Sequence, residues 1–295
     1  MSSDFPGAGV ALITPFQQNF EIDYPALARV IESQIAGDMD YLVALGTTGE
    51  TPTLAESEKK ELVSFIRETA ADRIPVVVGM GGNDTRSILT KMEEFDYEGI
   101  CGLLVVTPYY NKPSQEGLFR HYAEVARHSP VPVILYNVPS RTGVNMEADT
   151  VIRLANFSDK IVAVKEASGI FPQISRIIKN APPHFSVISG DDSLALPTIA
   201  VGGRGVISVV ANALPAELSS MIRLALAGNY EEARRRHLKL EEILRLLFLD
   251  GSPGGVKALL EIMGVSSNVL RLPLVPVNET VKNLLTKAFQ SLQNE

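Results

Sequence analysis

The stretch Ile161-Val162-Ala163-Val164-Lys165-Glu166 is an apolar, mostly β-branched run that ends in two charged residues. Such a run is typical of a strand that is covered on both faces, as in a parallel sheet packed between helices. A lysine amine on a buried strand costs free energy unless nearby chemistry uses it. Lys165 is therefore the first candidate for a functional residue.

The direction of Lys165 follows from the alternation of side chains along a strand. Ala163 and Lys165 share one face, and Val162, Val164 and Glu166 are expected on the other. A small residue below a long one suits the interior of a barrel, so we expect Lys165 to point inward. The alternative is an edge strand whose lysine ends in water, which is the more common surrounding for a lysine.

Eight runs of this kind occur along the chain, and each is separated from the next by room for a helix. They lie at 9–14, 41–46, 75–80, 102–107, 132–137, 161–166, 185–190 and 205–210. Alternating strands and helices predict a parallel sheet, and eight such units predict closure into a barrel. The predicted fold class is therefore α/β, a (β/α)8 TIM barrel.

The strand runs stop after about residue 214, and a helical extension follows. Helical patterns lie at 215–227, 230–249, 254–264 and 278–292, of which the first is the eighth helix of the barrel. We therefore predict a catalytic barrel over 1–225 and a C-terminal helical region over 226–295. A capping box is also predicted at Thr53-Leu54-Ala55-Glu56, where a new helix begins.

Composition excludes several classes of function. The 295 residues include 45% hydrophobic side chains, and a net charge of −7 argues against a nucleic-acid partner. One cysteine, Cys101, rules out an internal disulfide, and the four histidines lack the spacing of a metal site. The amino-terminal sequence lacks a signal-peptide pattern, and no apolar stretch reaches the ~20 residues that cross a bilayer. We expect a cytoplasmic protein without a membrane or nucleic-acid partner.

Polar residues follow several of the apolar runs, where the strands are predicted to end. In a parallel barrel the active site lies at the carboxyl ends of the strands. The segments there are Gly46-Thr47-Thr48-Gly49-Glu50, Thr107-Pro108-Tyr109-Tyr110, Tyr136-Asn137-Val138-Pro139-Ser140-Arg141-Thr142-Gly143 and Ser189-Gly190-Asp191-Asp192. We therefore place the candidate site among these segments and Lys165.

The side chains in these segments suit distinct chemical tasks. A buried lysine without a counter-charge favours the neutral amine, the nucleophile that forms a Schiff base with a carbonyl group. Tyr136 is predicted to point inward one strand away from Lys165, where its hydroxyl could exchange protons. Thr47 and Thr48 offer hydroxyl donors to a small carboxylate. Arg141 offers a planar fork of donors that matches a second carboxylate.

Each of these residues also has an ordinary structural explanation. Tyr136 could be a core tyrosine with a satisfied hydroxyl, and Arg141 an exposed surface arginine. The segment 46–49 could be a strand-to-helix turn that needs glycine. Asp191 and Asp192 are adjacent, so one of them is expected to cap the next helix. The residue pattern alone leaves these alternatives open.

Together, the four segments and Lys165-Glu166-Ala167-Ser168 resemble the signature blocks of the dihydrodipicolinate synthase family. The similarity extends from about residue 5 to 275. These proteins are pyruvate-dependent class I aldolases, as is N-acetylneuraminate lyase. The resemblance implies condensation of pyruvate with L-aspartate 4-semialdehyde to 4-hydroxy-tetrahydrodipicolinate, the first committed step of diaminopimelate and lysine biosynthesis. It also implies a homotetramer, a dimer of dimers, that needs no organic cofactor or metal.

The same resemblance implies the catalytic roles. Lys165 would form the imine with pyruvate, and the resulting enamine would attack the aldehyde of the second substrate. Tyr136, Thr47 and Tyr110 would form a proton relay. Tyr110 would be contributed by a neighbouring subunit, so the catalytic unit would be at least a dimer.

Four further positions are implied to bind the substrates. Thr48 matches the position that holds the pyruvate carboxylate. The Gly190 carbonyl and the Ile207 backbone are implied to line the pocket. Arg141 matches the position that receives the carboxylate of the semialdehyde.

Sensitivity to lysine is a point at which the chain departs from part of the family. Lysine-inhibited members carry glutamate at the position of Ser87 and often histidines at those of Glu56 and Lys59. Asn83 and Tyr109 do match those members. The resemblance therefore predicts weak or absent inhibition by lysine.

Two other functions stay open on the sequence alone. A sister aldolase or lyase would use the Lys165 imine with another acceptor, as in the cleavage of N-acetylneuraminate or a 2-keto-3-deoxy sugar acid. Arg141 argues against it, because a sugar-acid lyase needs no guanidinium there for a second carboxylate. A non-catalytic barrel with a retained pocket is the other alternative. The presence of the lysine, both tyrosines and both threonines argues against that.

Overall fold

The computed structural model describes residues 5–294, and its centre is a closed barrel of eight parallel strands. Each strand pairs with the next along the chain, and the eighth pairs with the first. The strands are β1 (Gly7–Ala11), β2 (Tyr41–Ala44), β3 (Val76–Gly79), β4 (Ile100–Val106), β5 (Val133–Asn137), β6 (Ile161–Glu166), β7 (Ser186–Ser189) and β8 (Gly205–Ser208). All eight predicted runs overlap a strand, and the predicted TIM barrel is confirmed.

Helices surround this barrel and extend beyond it. They are α1 (Tyr24–Ala36), α2 (Glu56–Ala70), α3 (Thr85–Glu93), α4 (Gln115–His128), α5 (Pro139–Thr142), α6 (Ala148–Phe157), α7 (Phe171–Asn180), α8 (Ala195–Ala200), α9 (Pro215–Leu226), α10 (Tyr230–Leu249), α11 (Gly254–Ile262) and α12 (Glu279–Asn294). The last four correspond to the helical segments predicted after residue 214. None of the helices between residues 5 and 294 is long and apolar enough to cross a membrane.

Both faces of the sheet are buried, as the continuous apolar runs require. The inner face forms a cluster inside the barrel, which includes Ala11, Tyr41, Val43, Val77, Leu104, Ile134, Tyr136, Ala163, Ile188 and Ile207. The outer face packs against the helices in a larger cluster, to which α10 and α11 add Leu240, Ile243, Leu247 and Leu259. The boundary predicted at 225/226 stays a prediction, and residues 1–4 and 295 of the two predicted units lie outside the described part.

β6 departs from simple alternation near its beginning. The register between β5 and β6 shifts there, so that Val162 is an extra residue without a partner. A bulge of this kind re-aims a side chain, and Val162 joins Ala163 in the cluster inside the barrel. The prediction that Val162 shares a face with Val164 and Glu166 is wrong for this reason. Alternation resumes after the bulge, and Lys165 points inward as predicted.

The start of α2 also differs from the prediction. The helix begins at Glu56 with Ala55 as its N-cap, and the Ala55 N–H donates to Glu58 Oε2 at 2.8 Å. Thr53 lies in a preceding 3-10 turn, where its hydroxyl donates to the Glu50 carbonyl at 2.9 Å. The predicted capping box at Thr53 is therefore wrong, because that hydroxyl serves the turn before the helix.

A fully buried ion pair between Glu50 and Lys257 joins the segment after β2 to α11. Lys257 Nζ also donates to the Val269 carbonyl at 2.8 Å and lies 4.2 Å from the centre of the Phe16 ring. The other carboxylate oxygen of Glu50 accepts from the Arg271 N–H at 3.0 Å. Burial lowers the pKa of Lys257 to about 8, and the carboxylate opposes this shift. These contacts fasten the C-terminal helices to the barrel.

We expect Lys257→Met to lower the free energy of unfolding by about 3–5 kcal/mol, because Glu50 would stay buried without a cation. The double variant Glu50→Gln, Lys257→Met should be more stable than Lys257→Met, since neither charge remains. Denaturant unfolding followed by circular dichroism measures these changes, with Glu50→Gln completing the cycle.

The matched control for this cycle is Lys282→Met on α12. Lys282 pairs with Glu261 at 2.7 Å, but about a third of each side chain is exposed. We expect this change to cost less than about 1 kcal/mol. Losses from Glu50→Gln and Lys257→Met that simply add in the double variant would contradict a coupled buried pair.

Candidate active site

Lys165 lies near the carboxyl end of β6 with 4% of its surface exposed. A closed barrel has no edge strand, so the alternative of an edge lysine that ends in water is wrong. Lys165 is the register partner of Tyr136 on β5, and its Nζ lies 4.5 Å from the centre of the Tyr136 ring. No carboxylate within residues 5–294 forms an ion pair with Lys165. The amine therefore faces an aromatic ring, and no carboxylate in the described part of the chain pairs with it.

Gly190 follows β7 and lies against the Lys165 side chain. A methyl group at Gly190 would come within 3.1 Å of Lys165 Cγ and 2.7 Å of Ala167 Cβ. The Gly190 N–H donates to the Glu166 carbonyl at 2.8 Å, which fixes the backbone beside the lysine. Glycine is therefore required here, and its backbone lies next to any group attached to Lys165. On the neighbouring strand β8, Ile207 is fully buried inside the barrel.

Thr47 and Thr48 lie in a 3-10 turn directly after β2. Thr48 is buried, and Thr47 is half-buried. Neighbouring hydroxyls brace this turn: Thr14 Oγ1 donates to the Gly49 carbonyl at 2.7 Å, and Thr51 Oγ1 donates to the carbonyl just before the turn at 2.9 Å. The two threonines are therefore held at the carboxyl end of the barrel, as predicted.

Arg141 lies on the short helix α5, which follows β5 almost directly. Gly143 ends this helix in the left-handed conformation, with a φ of 73° that favours glycine. The Arg141 side chain is exposed, and its Nη2 donates to the Ser252 carbonyl at 3.4 Å. The guanidinium group therefore borders the same end of the barrel without a carboxylate partner among the described residues.

A cavity of about 460 Å³ opens at this end of the barrel. The predicted site residues on its wall are Thr47, Tyr136 and Arg141. The predicted residues that do not line it are Lys165, Thr48, Gly190, Ile207 and Tyr110. Lys165 is connected to the wall through the Tyr136 ring. Across residues 5–294, no group of three or more His, Cys, Asp or Glu side chains could hold a metal ion.

Tyr110 lies apart from Tyr136 and Thr47, the other two residues of the implied proton relay. Its surface is 88% exposed, and it lies in the loop after β4 with a φ of 71°. No hydrogen bond within the described chain joins its hydroxyl to that of Tyr136 or Thr47. A single subunit therefore does not assemble the proton relay that the family resemblance implies.

A buried carboxylate beside Lys165 was not predicted. Glu166 is 1% exposed and points outward from β6, where its two oxygens accept from Asn137 Nδ2 at 3.2 and 3.0 Å. Burial raises the pKa of this carboxyl group, and hydrogen bonds from Ser168 and Asn137 oppose the shift. The signal for such a carboxylate is the strand pattern itself, since a strand covered on both faces leaves no exposed position for a glutamate.

Asp192 makes a second unpredicted contact, between the ends of β7 and β8. Its Oδ2 accepts from the N–H groups of Val209 and Val210, both at 3.0 Å. Burial raises the pKa of this carboxyl group as well. The expectation that one of the adjacent aspartates caps the next turn is confirmed by Asp191, whose Oδ1 accepts from the Ser193 N–H at 2.8 Å.

Comparisons with known proteins agree over almost the whole chain. The model of the Dihydrodipicolinate synthetase family matches residues 4–292. A 4-hydroxy-tetrahydrodipicolinate synthase of Parabacteroides distasonis is 53% identical over 286 residues, which cover 97% of this chain and 96% of the relative. The crystal structure of the Thermotoga maritima dihydrodipicolinate synthase is 40% identical, with a TM-score of 0.96 over 98% of this chain and 99% of that chain.

A third relative is the chloride-inhibited dihydrodipicolinate synthase of Acinetobacter baumannii, which was solved in complex with pyruvate. It is 36% identical, with a TM-score of 0.94 over 98% of this chain and 99% of that chain. The match of the family model and the identity to full-length relatives lead to one assignment. The chain belongs to the dihydrodipicolinate synthetase family.

Proposed function

We propose that this protein condenses pyruvate with L-aspartate 4-semialdehyde to 4-hydroxy-tetrahydrodipicolinate, the first committed step of diaminopimelate and lysine biosynthesis. The observation that carries the proposal is the Lys165 amine, enclosed in the barrel against the Tyr136 ring. The Parabacteroides relative bears the name of this activity, and the Acinetobacter relative was solved with pyruvate. Both relatives support a lyase of the class I aldolase type with pyruvate as the first substrate.

The Lys165 amine begins the reaction by adding to the carbonyl carbon of pyruvate. The carbinolamine takes up a proton on oxygen and loses water to form an imine. Loss of a proton from the former methyl group gives an enamine, whose carbon attacks the aldehyde of the second substrate. The amino group of that substrate then adds to the imine carbon and displaces the lysine. This closes the ring and regenerates the free amine.

Tyr136 is suited to the proton transfers, because its ring lies directly beside the reacting nitrogen. Thr47, on the wall of the same cavity, and Tyr110 of a neighbouring subunit would complete the relay. Thr48 would bind the pyruvate carboxylate, which lies two bonds from the imine nitrogen. The Gly190 carbonyl and the Ile207 backbone would line the pocket around the imine.

Arg141 would bind the carboxylate of the semialdehyde at the mouth of the cavity. Most N–H donors of its exposed guanidinium group are unused, because its one hydrogen bond in the described chain is the long contact to the Ser252 carbonyl. An arginine fork can bind a carboxylate through two parallel hydrogen bonds. This second carboxylate site supports the semialdehyde over a neutral sugar as the acceptor.

The exposure of Tyr110 supports an assembly of at least two subunits. Tyr110 is exposed and has a left-handed backbone conformation. Its large aromatic ring would be buried if a neighbouring chain packed against it. We infer that two chains exchange Tyr110 across a symmetric interface, and that two such dimers form a homotetramer. Each site would then depend on its neighbour.

A cytoplasmic location is also part of the proposal. The single cysteine of the chain, Cys101, supports it, because secreted proteins of the disulfide-stabilised kind carry pairs. The proposed catalytic unit is the barrel over 1–225, since every proposed site residue lies within it. The helical region from 226 onward would support it from outside, and no organic cofactor or metal would be needed.

Consumption of pyruvate with L-aspartate 4-semialdehyde tests the activity. We expect turnover at least about a hundredfold faster than with N-acetylmannosamine or glyceraldehyde, because a site that holds a second carboxylate rejects acceptors without one. Selective use of a sugar aldehyde would indicate a sister lyase. No pyruvate consumption with any of the three acceptors would favour a non-catalytic barrel. Lys165→Ala should remove both turnover and the borohydride-trapped pyruvate adduct. Lys179→Ala, on the exposed side of α7, should change neither.

Arg141→Ala tests the acceptor site. We expect kcat/KM for the semialdehyde to fall by about a hundredfold, because its carboxylate would lose two charge-assisted hydrogen bonds from the guanidinium group. The rate of borohydride trapping with pyruvate alone should stay at the wild-type level. Arg141→Lys keeps the charge but loses the two-point contact, so it should recover part of the loss. Equal activity of the alanine variant and the wild type would show that Arg141 has no such role.

Mixing two inactive variants tests whether Tyr110 is shared. In a hybrid of Tyr110→Phe and Lys165→Ala chains with exchanged tyrosines, one site of the dimer has both native residues. Random reassociation of equal amounts should therefore restore about a quarter of the wild-type activity, given a two-fold symmetric dimer. If each chain used its own Tyr110, no hybrid site would be complete, and the mixture would stay as inactive as its parts.

A further inference from the structure

The reactive pair of Tyr136 and Lys165 is followed at once by a second register pair, Asn137 and Glu166, which points the opposite way. Both side chains of this second pair are buried, with 0% and 1% of their surface exposed. Asn137 Nδ2 donates to both oxygens of Glu166, at 3.0 and 3.2 Å. A direct side-chain contact therefore ties β5 to β6 one residue beyond the reactive pair.

This contact belongs to a closed ring of hydrogen bonds behind the barrel wall. Gln173 on α7 donates from Nε2 to Glu166 Oε2 at 3.2 Å, and its Oε1 accepts from Asn145 Nδ2 at 2.9 Å. Asn145 Oδ1 in turn accepts from Asn137 Nδ2 at 2.8 Å. The Met146 N–H donates to Asn137 Oδ1 at 2.9 Å. The ring leaves little freedom for the two strand ends to move apart.

The backbone of Glu166 extends this connection to the next strand. Its carbonyl accepts from the Gly190 N–H at 2.8 Å, and the Asn137 carbonyl accepts from the Ala167 N–H at 2.9 Å. The residue that follows the proposed nucleophile thus holds β5 through its side chain and the end of β7 through its backbone. Both neighbours carry proposed site residues.

The Glu166 carboxyl group is costly to bury. No cation in residues 5–294 pairs with it, and it accepts hydrogen bonds from neutral amide and peptide donors. Burial of such a group without a cation disfavours its charged form and lowers stability relative to an apolar residue. An apolar contact behind the sheet would cost less free energy to bury. The polar network therefore indicates that the relative position of β5 and β6 matters.

We infer that Glu166 is a positioning residue for the condensation, which holds Asn137 and the end of β5 so that Tyr136 stays in place beside Lys165. This inference rests on the proposed function. Its physical basis is the sensitivity of a bond-forming step to the placement of the reacting groups, for which a shift of 1 Å can cost on the order of a hundredfold in rate.

Glu166→Gln tests the inference, because it keeps the shape but replaces an acceptor oxygen by an amide nitrogen that faces Asn137 Nδ2. We expect kcat to fall at least about tenfold, with a smaller change in KM for pyruvate, and the rate of borohydride trapping to fall in parallel. The double variant Asn137→Asp, Glu166→Gln exchanges acid and amide across the strand pair. It restores a donor facing an acceptor, so it should recover most of the lost kcat.

Asp40→Asn is the matched control for stability. Asp40 Oδ2 accepts from the Ala8 N–H at 2.7 Å, just before β2 and thus at the opposite end of the barrel. We expect this variant to lower the Tm while kcat stays at the wild-type level. If Glu166→Gln behaves in the same way, or if the exchanged pair recovers no activity while folded, the positioning role is wrong.

Gln173→Met is the alternative test if Glu166→Gln does not fold. It removes the hydrogen bond from Gln173 to Glu166 at a less buried residue of the ring. A fall in kcat of about threefold is expected, and wild-type kcat would overturn the inference. Borohydride trapping on the wild-type protein distinguishes a failure of the proposed function from a failure of the positioning role. If it forms no borohydride-trapped adduct with pyruvate, the proposed function itself fails, and the role of Glu166 fails with it.

Discussion

Closure of the barrel is the constraint on which the rest of the molecule depends. Because β8 pairs with β1, no strand has a free edge, and each inward side chain is enclosed by the seven other strands. Lys165 therefore meets small molecules only through an end of the barrel, in surroundings set by Tyr136 and the aliphatic interior. The carboxyl end, with its turns after β2, β5 and β7, supplies the polar groups. An amine kept from bulk water and from carboxylates is what imine chemistry requires.

Much of this arrangement can be predicted from the chain, because the periodicity of a strand is a local property. Eight apolar runs identify the barrel, and alternation places Tyr136 and Lys165 on its inner face. Two predictions, for Val162 and Thr53, are wrong because a local contact changes the direction or the partner of the side chain, which periodicity does not reveal. Val162 is turned inward by a one-residue bulge, which depends on how β5 and β6 meet. Thr53 is drawn into the turn before α2, since the Glu50 carbonyl is as good a partner as a helix end.

Other parts of the site depend on partners that a linear pattern does not reveal. The strand pattern indicates that Glu166 is buried, but its contact with Asn137 follows from the register of two strands that lie 29 residues apart in the chain. The buried partner of Glu50 lies 207 residues away, on a helix outside the barrel. Within residues 5–294, the Tyr110 hydroxyl makes no hydrogen bond to Tyr136 or Thr47. The sequence gives the type and position of each of these residues, whereas their contacts depend on how distant parts of the chain meet.

The ion pair of Glu50 and Lys257 also orders events during synthesis. Glu50 leaves the ribosome 207 residues before Lys257, so all eight strands are made while its carboxylate still lacks its cation. An unpaired carboxylate stays in water, and the turn that bears Thr47 and Thr48 directly precedes it. Hydroxyls of Thr14 and Thr51 can already hold that turn, whereas the Glu50 carboxylate meets its cation only when α11 docks. The buried pair thus joins the beginning of the barrel to nearly the last part of the chain, and it forms only when almost the whole chain has been made.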